Sequence, residues 1–128
     1  MRALLDTHTL LWFVAGDTRL SAYARAIMDD PENDVLVSIA SLWEVVIKVG
    51  VGKLELDMPV ERFVVDQVSR RQFTVLPIEL SHLVTVSTLP LHHRDPFDRL
   101  LAAQALTEDV PMLGTDSTFD AYDVQTLW

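Results

Sequence analysis

Cysteine is absent from all 128 residues, which excludes disulfides and zinc–thiolate sites. Glycine occurs four times, two of them in Gly50-Val51-Gly52, so neither a P-loop nor a dinucleotide-binding fingerprint fits anywhere. No apolar run reaches the roughly 18 residues that span a bilayer. The opening stretch MRALLDTHTLLW lacks the uninterrupted apolar core and small-residue cleavage site of a signal peptide. The expectation is a cytoplasmic protein without membrane contact. Positive charge is also scarce: 10 Lys and Arg stand against 19 Asp and Glu, a formal net charge of −9. That balance argues against nonspecific nucleic-acid binding through a broad basic surface. It still allows an enzyme whose acids are concentrated in one site, with Arg70, Arg71, His92, His93, Arg94 and Arg99 as a local basic rim.

What the chain does have is apolar mass. At 49% hydrophobic residues, 1–128 should fold as one domain with a proper core. Short apolar runs predict strands at 2–5, 35–38, 74–78, 110–113 and 124–127, with Pro77 suggesting an edge. Between them, helical spacing predicts helices at 9–15, 22–30, 41–49, 59–71, 81–87 and 95–107. Strands alternating with helices imply an α/β fold: a three-layer α/β/α sandwich around a parallel sheet of four to five strands. In such sheets ligands collect outside the carboxyl ends of the strands.

The stretch DPFDRLLAAQA, residues 95–105, carries the first chemical signal. Pro96 presets a helical turn, Asp95 is a natural N-cap, and Phe97, Leu100, Leu101 and Ala105 form a stripe to be buried. Asp98 lies roughly 60° around the helix from Asp95. Each acid of interest has an ordinary structural explanation. Asp95 can cap, and Asp98 can complement the helix dipole. Asp6 can cap the following helix, and Asp116 can be a turn residue. Glu44 can complete a capping box with Ser41 or pair with Lys48. Together, however, Asp6, Glu44, Asp98 and Asp116 sit just after strands or at helix starts along one rim of the sheet. Ionised and about 5 Å apart, each pair would repel by roughly 3 kcal/mol at an effective dielectric near 20. Several such pairs approach the whole stability of a small domain, so clustered acids would need a cation. An all-oxygen set suits Mg²⁺ or Mn²⁺.

LLDTHTLLW, SIASLWEVVIKVGVGKL, DPFDRLLAAQA and LGTDSTFDAY resemble, in order and spacing, the successive motifs of PIN-domain ribonucleases, specifically VapC-type toxins of toxin–antitoxin pairs. The resemblance runs essentially end to end. It implies a PIN-like fold and a metal-dependent endoribonuclease, with Asp6, Glu44, Asp98 and Asp116 as the catalytic acids that hold Mg²⁺ or Mn²⁺. Asp95 is an extra acid shared with the subgroup carrying DPFDR. His8 stands where the family usually has a further acid, which bears on whether one or two ions bind. The resemblance also implies a cognate VapB-type antitoxin, an RNA substrate and a homodimer. The different-class alternative is a noncatalytic PIN-like module that binds RNA or protein. A phosphoacceptor receiver domain is excluded, because Ile78-Glu79-Leu80 offers no acceptor Asp and no lysine follows Lys53.

Overall fold

The computed structural model describes residues 1–128. Five strands form one all-parallel sheet: β1 (Arg2–Leu5), β2 (Asp34–Ser38), β3 (Thr74–Leu76), β4 (Met112–Leu113) and β5 (Thr126–Leu127). Their order is β3-β2-β1-β4-β5. The chain therefore steps outward from β1 through β2 to β3, then returns to build β4 and β5 on β1's other side. The order reverses between β1 and β4, and that crevice is where open α/β sheets place ligands. The expected three-layer α/β/α architecture is found, with β3 at an edge.

Central strands buried on both faces read as continuous apolar runs, as RALL and DVLVS do. Alternate residues feed two cores. Leu5, Val35, Val37 and Leu113 point into one, and Leu4, Leu36 and Met112 into the other. The first core is covered by helices α1 (Thr7–Ala15), α2 (Ala22–Asp29) and α4 (Val60–Val64), the last continuing as a π-helical turn over Val65–Ser69. The second is covered by α6 (Pro96–Glu108) and a 3₁₀ turn (Ser117–Tyr122), with α5 (Leu80–Thr88) packed on α6. Helix α3 (Ile39–Gly50) packs on both α1 and α6, so it bridges the two layers at the carboxyl edge of the sheet. No helix is long and apolar enough to cross a membrane.

Several boundaries differ from expectation. Helix α1 begins at Thr7 rather than at residue 9. Helix α3 begins at Ile39, because Ser38 is its N-cap and accepts the Ala40 N–H at 3.0 Å. Ser41 therefore lies inside the helix and closes no capping box with Glu44. Its hydroxyl accepts instead from the Thr7 hydroxyl at 2.8 Å, a buried bond that ties α1 to α3. The helix expected over 59–71 loses α geometry at Val65. β3 ends at Leu76, before Pro77.

Candidate active site

Asp6 follows β1 directly and occupies the N-cap position of α1, yet its side chain makes no capping bond. The ordinary explanation for this acid therefore fails. Its backbone N–H donates to Leu113 O at 3.1 Å, and the buried Thr9 hydroxyl donates to the same carbonyl at 2.9 Å. β1 and β4 are thus locked at their carboxyl ends. One residue beyond β4, Gly114 comes so close to Asp6 that a Cβ there would stand 2.9 Å from the Asp6 Cβ and 3.2 Å from Oδ2. Its backbone φ is not positive, so glycine is required by space rather than by conformation. Two residues further on, Asp116 caps the 3₁₀ turn and accepts the Thr118 N–H at 2.9 Å.

Glu44 is buried, although its helix's apolar pattern places it on the far side. The reason is Lys48, whose Nζ stands 2.8 Å from Glu44 Oε2 and neutralises it one turn on. Val46, two residues on, is exposed. From the opposite layer Asp98 reaches the same place from the first turn of α6. Asp95 caps that helix, Oδ1 accepting the N–H of Phe97 at 2.8 Å and of Asp98 at 3.2 Å.

These acids feel one another. Burial first, then the charges of Asp95, Asp6, Asp116 and Glu44, raise the Asp98 pKa to about 7. Burial raises Asp6 to about 6, with Asp116 and Glu44 adding to the effect and His8 opposing it. Asp116, nearer solvent, is held below the ordinary carboxylate value by its bonds to Thr118 and by His93 and His8, which together outweigh desolvation. The five acids named from sequence therefore share one electrostatic neighbourhood. No three of the side chains close to the distances of a ready-made ligand set. Mutual repulsion favours such spreading, and Mg²⁺ characteristically retains several waters between itself and its carboxylates. The donor chemistry, all oxygen and short of compensating cations, fits a hard divalent ion.

The expected basic rim is only partly there. Arg70 pairs with Asp66 and Arg71 lies over Phe13, both ahead of β3 at the opposite edge of the sheet. The Arg99 guanidinium is used up on Pro90, Val86 and Leu89 carbonyls and the Tyr122 hydroxyl. Only residues 92–94 flank the acids. Gly114, Thr7 and Thr9 also shape the site, and Ser41 does so through Thr7 and not as a cap. Their positions within three residues of Asp6, Glu44 or Asp116 are the only sequence signal, since their contacts are long-range.

Two expected results follow from this geometry. The raised values mean that between about pH 4 and pH 7 the folded state binds more protons at Asp6 and Asp98 than the unfolded chain does. Stability of the metal-free protein therefore falls as pH rises through that window. Asp17, lowered to about 2 by Arg19, acts only below it. Melting in EDTA should give a Tm higher at pH 5 than at pH 8. After allowance for water contact at Asp98, the difference is on the order of 2 kcal/mol, or roughly 5–8 °C. A flat or rising profile would contradict the shared neighbourhood. The second result concerns Asp95→Asn, which keeps the cap and should shift stability by less than about 0.5 kcal/mol. It also removes the largest charge acting on Asp98. The Asp98 carboxyl should then titrate lower by NMR, while Tm at pH 5, where Asp98 is protonated in both proteins, stays put.

A family model for the PIN domain matches residues 3–125. Among solved structures, VapBC2 from Rickettsia felis bound to a DNA fragment from their promoter is similar at TM-score 0.72 and 14% identity, covering 99% of this chain and 98% of that one. FitAB bound to an IR36 DNA fragment is similar at TM-score 0.67 and 19% identity, covering 99% of this chain and 94% of that one. FitAcB from Neisseria gonorrhoeae is similar at TM-score 0.60 and 19% identity, covering 100% of this chain and 97% of that one. Identities this low speak to the fold alone. Comparison with curated proteins found no match.

Proposed function

Because the chain belongs to the PIN-domain family, we propose that it is a metal-dependent endoribonuclease of the VapC type, the toxin of a toxin–antitoxin pair. The observation that carries this reading is the group of mutually perturbed carboxylates at the β1/β4 switch point. Asp6, Glu44, Asp98 and Asp116 would hold Mg²⁺ or Mn²⁺, which supplies a water of lowered pKa and positive charge against the scissile phosphate. Asp95 would act through water, as an outer ligand that also holds the first turn of α6 in place. Lys48 pairs with the buried Glu44 at 2.8 Å and holds its carboxylate in place. No Ser–His or Cys–His pair stands near the acids, and the reading takes the reaction to be direct hydrolysis. Water would add to phosphorus and give up a proton to a carboxylate of the group, the ribose oxygen would depart and take up a proton from solvent, and no covalent enzyme intermediate would form. Incubation of the purified chain with RNA in Mg²⁺ or Mn²⁺ tests this, and cleavage that persists unchanged in EDTA would overturn it. The noncatalytic alternative would account for Asp95 and Asp116 as caps and Glu44 as the partner of Lys48, but gives no role to Asp6 and Asp98, the two acids whose pKa values are raised.

A ribonuclease of this kind needs restraint, and the neighbours named above include VapBC and FitAB assemblies. We propose a VapB-type antitoxin with a basic and apolar tail. Its Arg or Lys would pair with Asp6 and Asp98. Its apolar side chains would enter a cavity of about 250 Å³ lined by Leu11, Trp12, Leu54 and Met58. That cavity lies along α1 and not at the acids, so one extended segment would reach both. Inhibition that survives replacement of the tail's basic residues by Ala would rule this mode out. A homodimer is proposed on the apolar residues that α3 and α5 expose, Trp43, Val46, Ile47, Leu80, Leu83 and Val84. A monomeric mass in solution at micromolar concentration would count against it.

A further inference from the structure

The loop between α5 and α6 is fastened along its length. Arg99 donates to the carbonyl oxygens of Pro90 (2.9 Å), Val86 (3.2 Å) and Leu89 (3.4 Å), and to the Tyr122 hydroxyl (3.1 Å). The same hydroxyl oxygen accepts the backbone N–H of His93 at 2.9 Å. The His92 ring leans on the Tyr122 ring, centroids 5.2 Å apart. Tyr122 is itself buried, at the end of the 3₁₀ turn that Asp116 caps. This loop and the fourth acid are therefore held by one anchor.

What the anchored loop holds in place is the His93 imidazole. Its Nδ1 accepts the backbone N–H of Asp95 at 3.0 Å and stands 3.8 Å from Asp98 Oδ2. A ring nitrogen that accepts a hydrogen bond carries no proton, so the neutral ring has its hydrogen on Nε2. Nε2 makes no hydrogen bond within the chain, and the side chain is 36% exposed. A hydrogen-bond donor of fixed tautomer thus stands free beside the carboxylates. Of the neighbouring cations, Arg94 is exposed and no hydrogen bond fixes its guanidinium, and the others are engaged or distant. Arg99 is spent on carbonyls, Lys48 on Glu44, and Arg70 and Arg71 lie at the other edge. An anionic substrate brought against this acidic group needs a donor on its outer side.

We propose that His93 is a substrate-contacting residue whose Nε2–H donates to a nonbridging oxygen of an RNA phosphodiester lying over Asp98 and Asp116. The proposal rests on the ribonuclease reading and adds to it a phosphate contact from outside the acids. The test uses the full chain carrying Asp6→Asn, so that RNA is bound without being cut, and a fluorescently labelled single-stranded RNA of mixed sequence in Mg²⁺. Adding His93→Ala should weaken binding about tenfold, as loss of a hydrogen bond to a charged group does. Adding His93→Gln, which keeps an acceptor for Asp95 and a donor for phosphate, should restore it to within about threefold, with Tm the same in all three proteins. Equal affinity for RNA with and without His93→Ala would overturn this proposal and leave the ribonuclease reading standing. So would weaker binding that tracks a fall in Tm, which would make His93 a loop fastener. A parent chain that neither binds nor cleaves RNA would overturn both. Where Asp6→Asn alone abolishes binding, the same comparison is made on the parent background, His93→Ala raising the KM for RNA cleavage about tenfold and an unchanged KM overturning the proposal.

Discussion

Asp6→Asn is expected to reduce metal-dependent RNA cleavage by more than about 100-fold while raising the melting temperature of the metal-free protein. Loss of function usually accompanies loss of stability, so the opposite signs make the result diagnostic. Asp6 is buried at the sheet's switch point, makes no capping bond, and is raised to about 6 by burial and like charge. Asparagine occupies the same space without charge, so the fold loses a cost and the site loses a ligand. Asp98→Asn should behave the same way, since Asp98 carries the larger shift, to about 7. Adding Mg²⁺ should raise Tm in the parent and much less in either variant, because an ion that binds only the folded state stabilises it by mass action. Both variants cleaving at the parent's rate would end the proposed mechanism.

Gly114→Ala should be nearly as damaging, although it removes no functional group. The added methyl would fall 2.9 Å from the Asp6 Cβ, inside van der Waals contact, so one of the two must move. Asp6 is held by its N–H to Leu113 O, and the end of β4 by Thr9. Gly114 N–H is tied to Leu127 O at 3.1 Å. Overpacking against fixed backbone costs about 1–3 kcal/mol, and the Asp6 carboxylate would shift by a fraction of an ångström to an ångström. Displacement of that size is enough to cost on the order of 100-fold in rate. Thermal melts and cleavage assays on the one variant test both halves. An unchanged Tm with full activity would mean the close approach is easily relieved.

Much of this arrangement is legible in the residue order. β1 and β2 announce themselves because strands buried on both faces have no polar side to interrupt them. The first turn of α6 is equally plain, since Pro96 and Asp95 admit few other conformations. The Glu44–Lys48 pair is legible from its i,i+4 spacing, but the burial of that pair is not, because it depends on helices packed from other parts of the chain. Ser41 was misread as a cap because Ser38, three residues earlier, offers the same chemistry, and only Thr7 across the layers distinguishes them. Arg99 looked available for substrate because nothing local tells a free guanidinium from one bound to three carbonyls and a phenol. Gly114 reads as an ordinary turn glycine until β4 is laid beside β1. In each case the missing information is a contact between residues distant in sequence.

Strand order also sets a timetable. β1 is made first, yet its partner on one side, β4, pairs with it across more than a hundred residues, Leu4 with Met112 and Leu5 with Leu113. During synthesis Asp6 and Glu44 emerge early, while Asp98 and Asp116 come late. The crevice between β1 and β4 has only one wall until the final strands arrive. For the ribonuclease proposed above, a chain still attached to the ribosome, or released early by a broken message, would therefore carry half a centre and be harmless to the RNA around it. Long-range parallel pairing is slow to form. That delay would give a partner made alongside the chain time to be present before cleavage becomes possible.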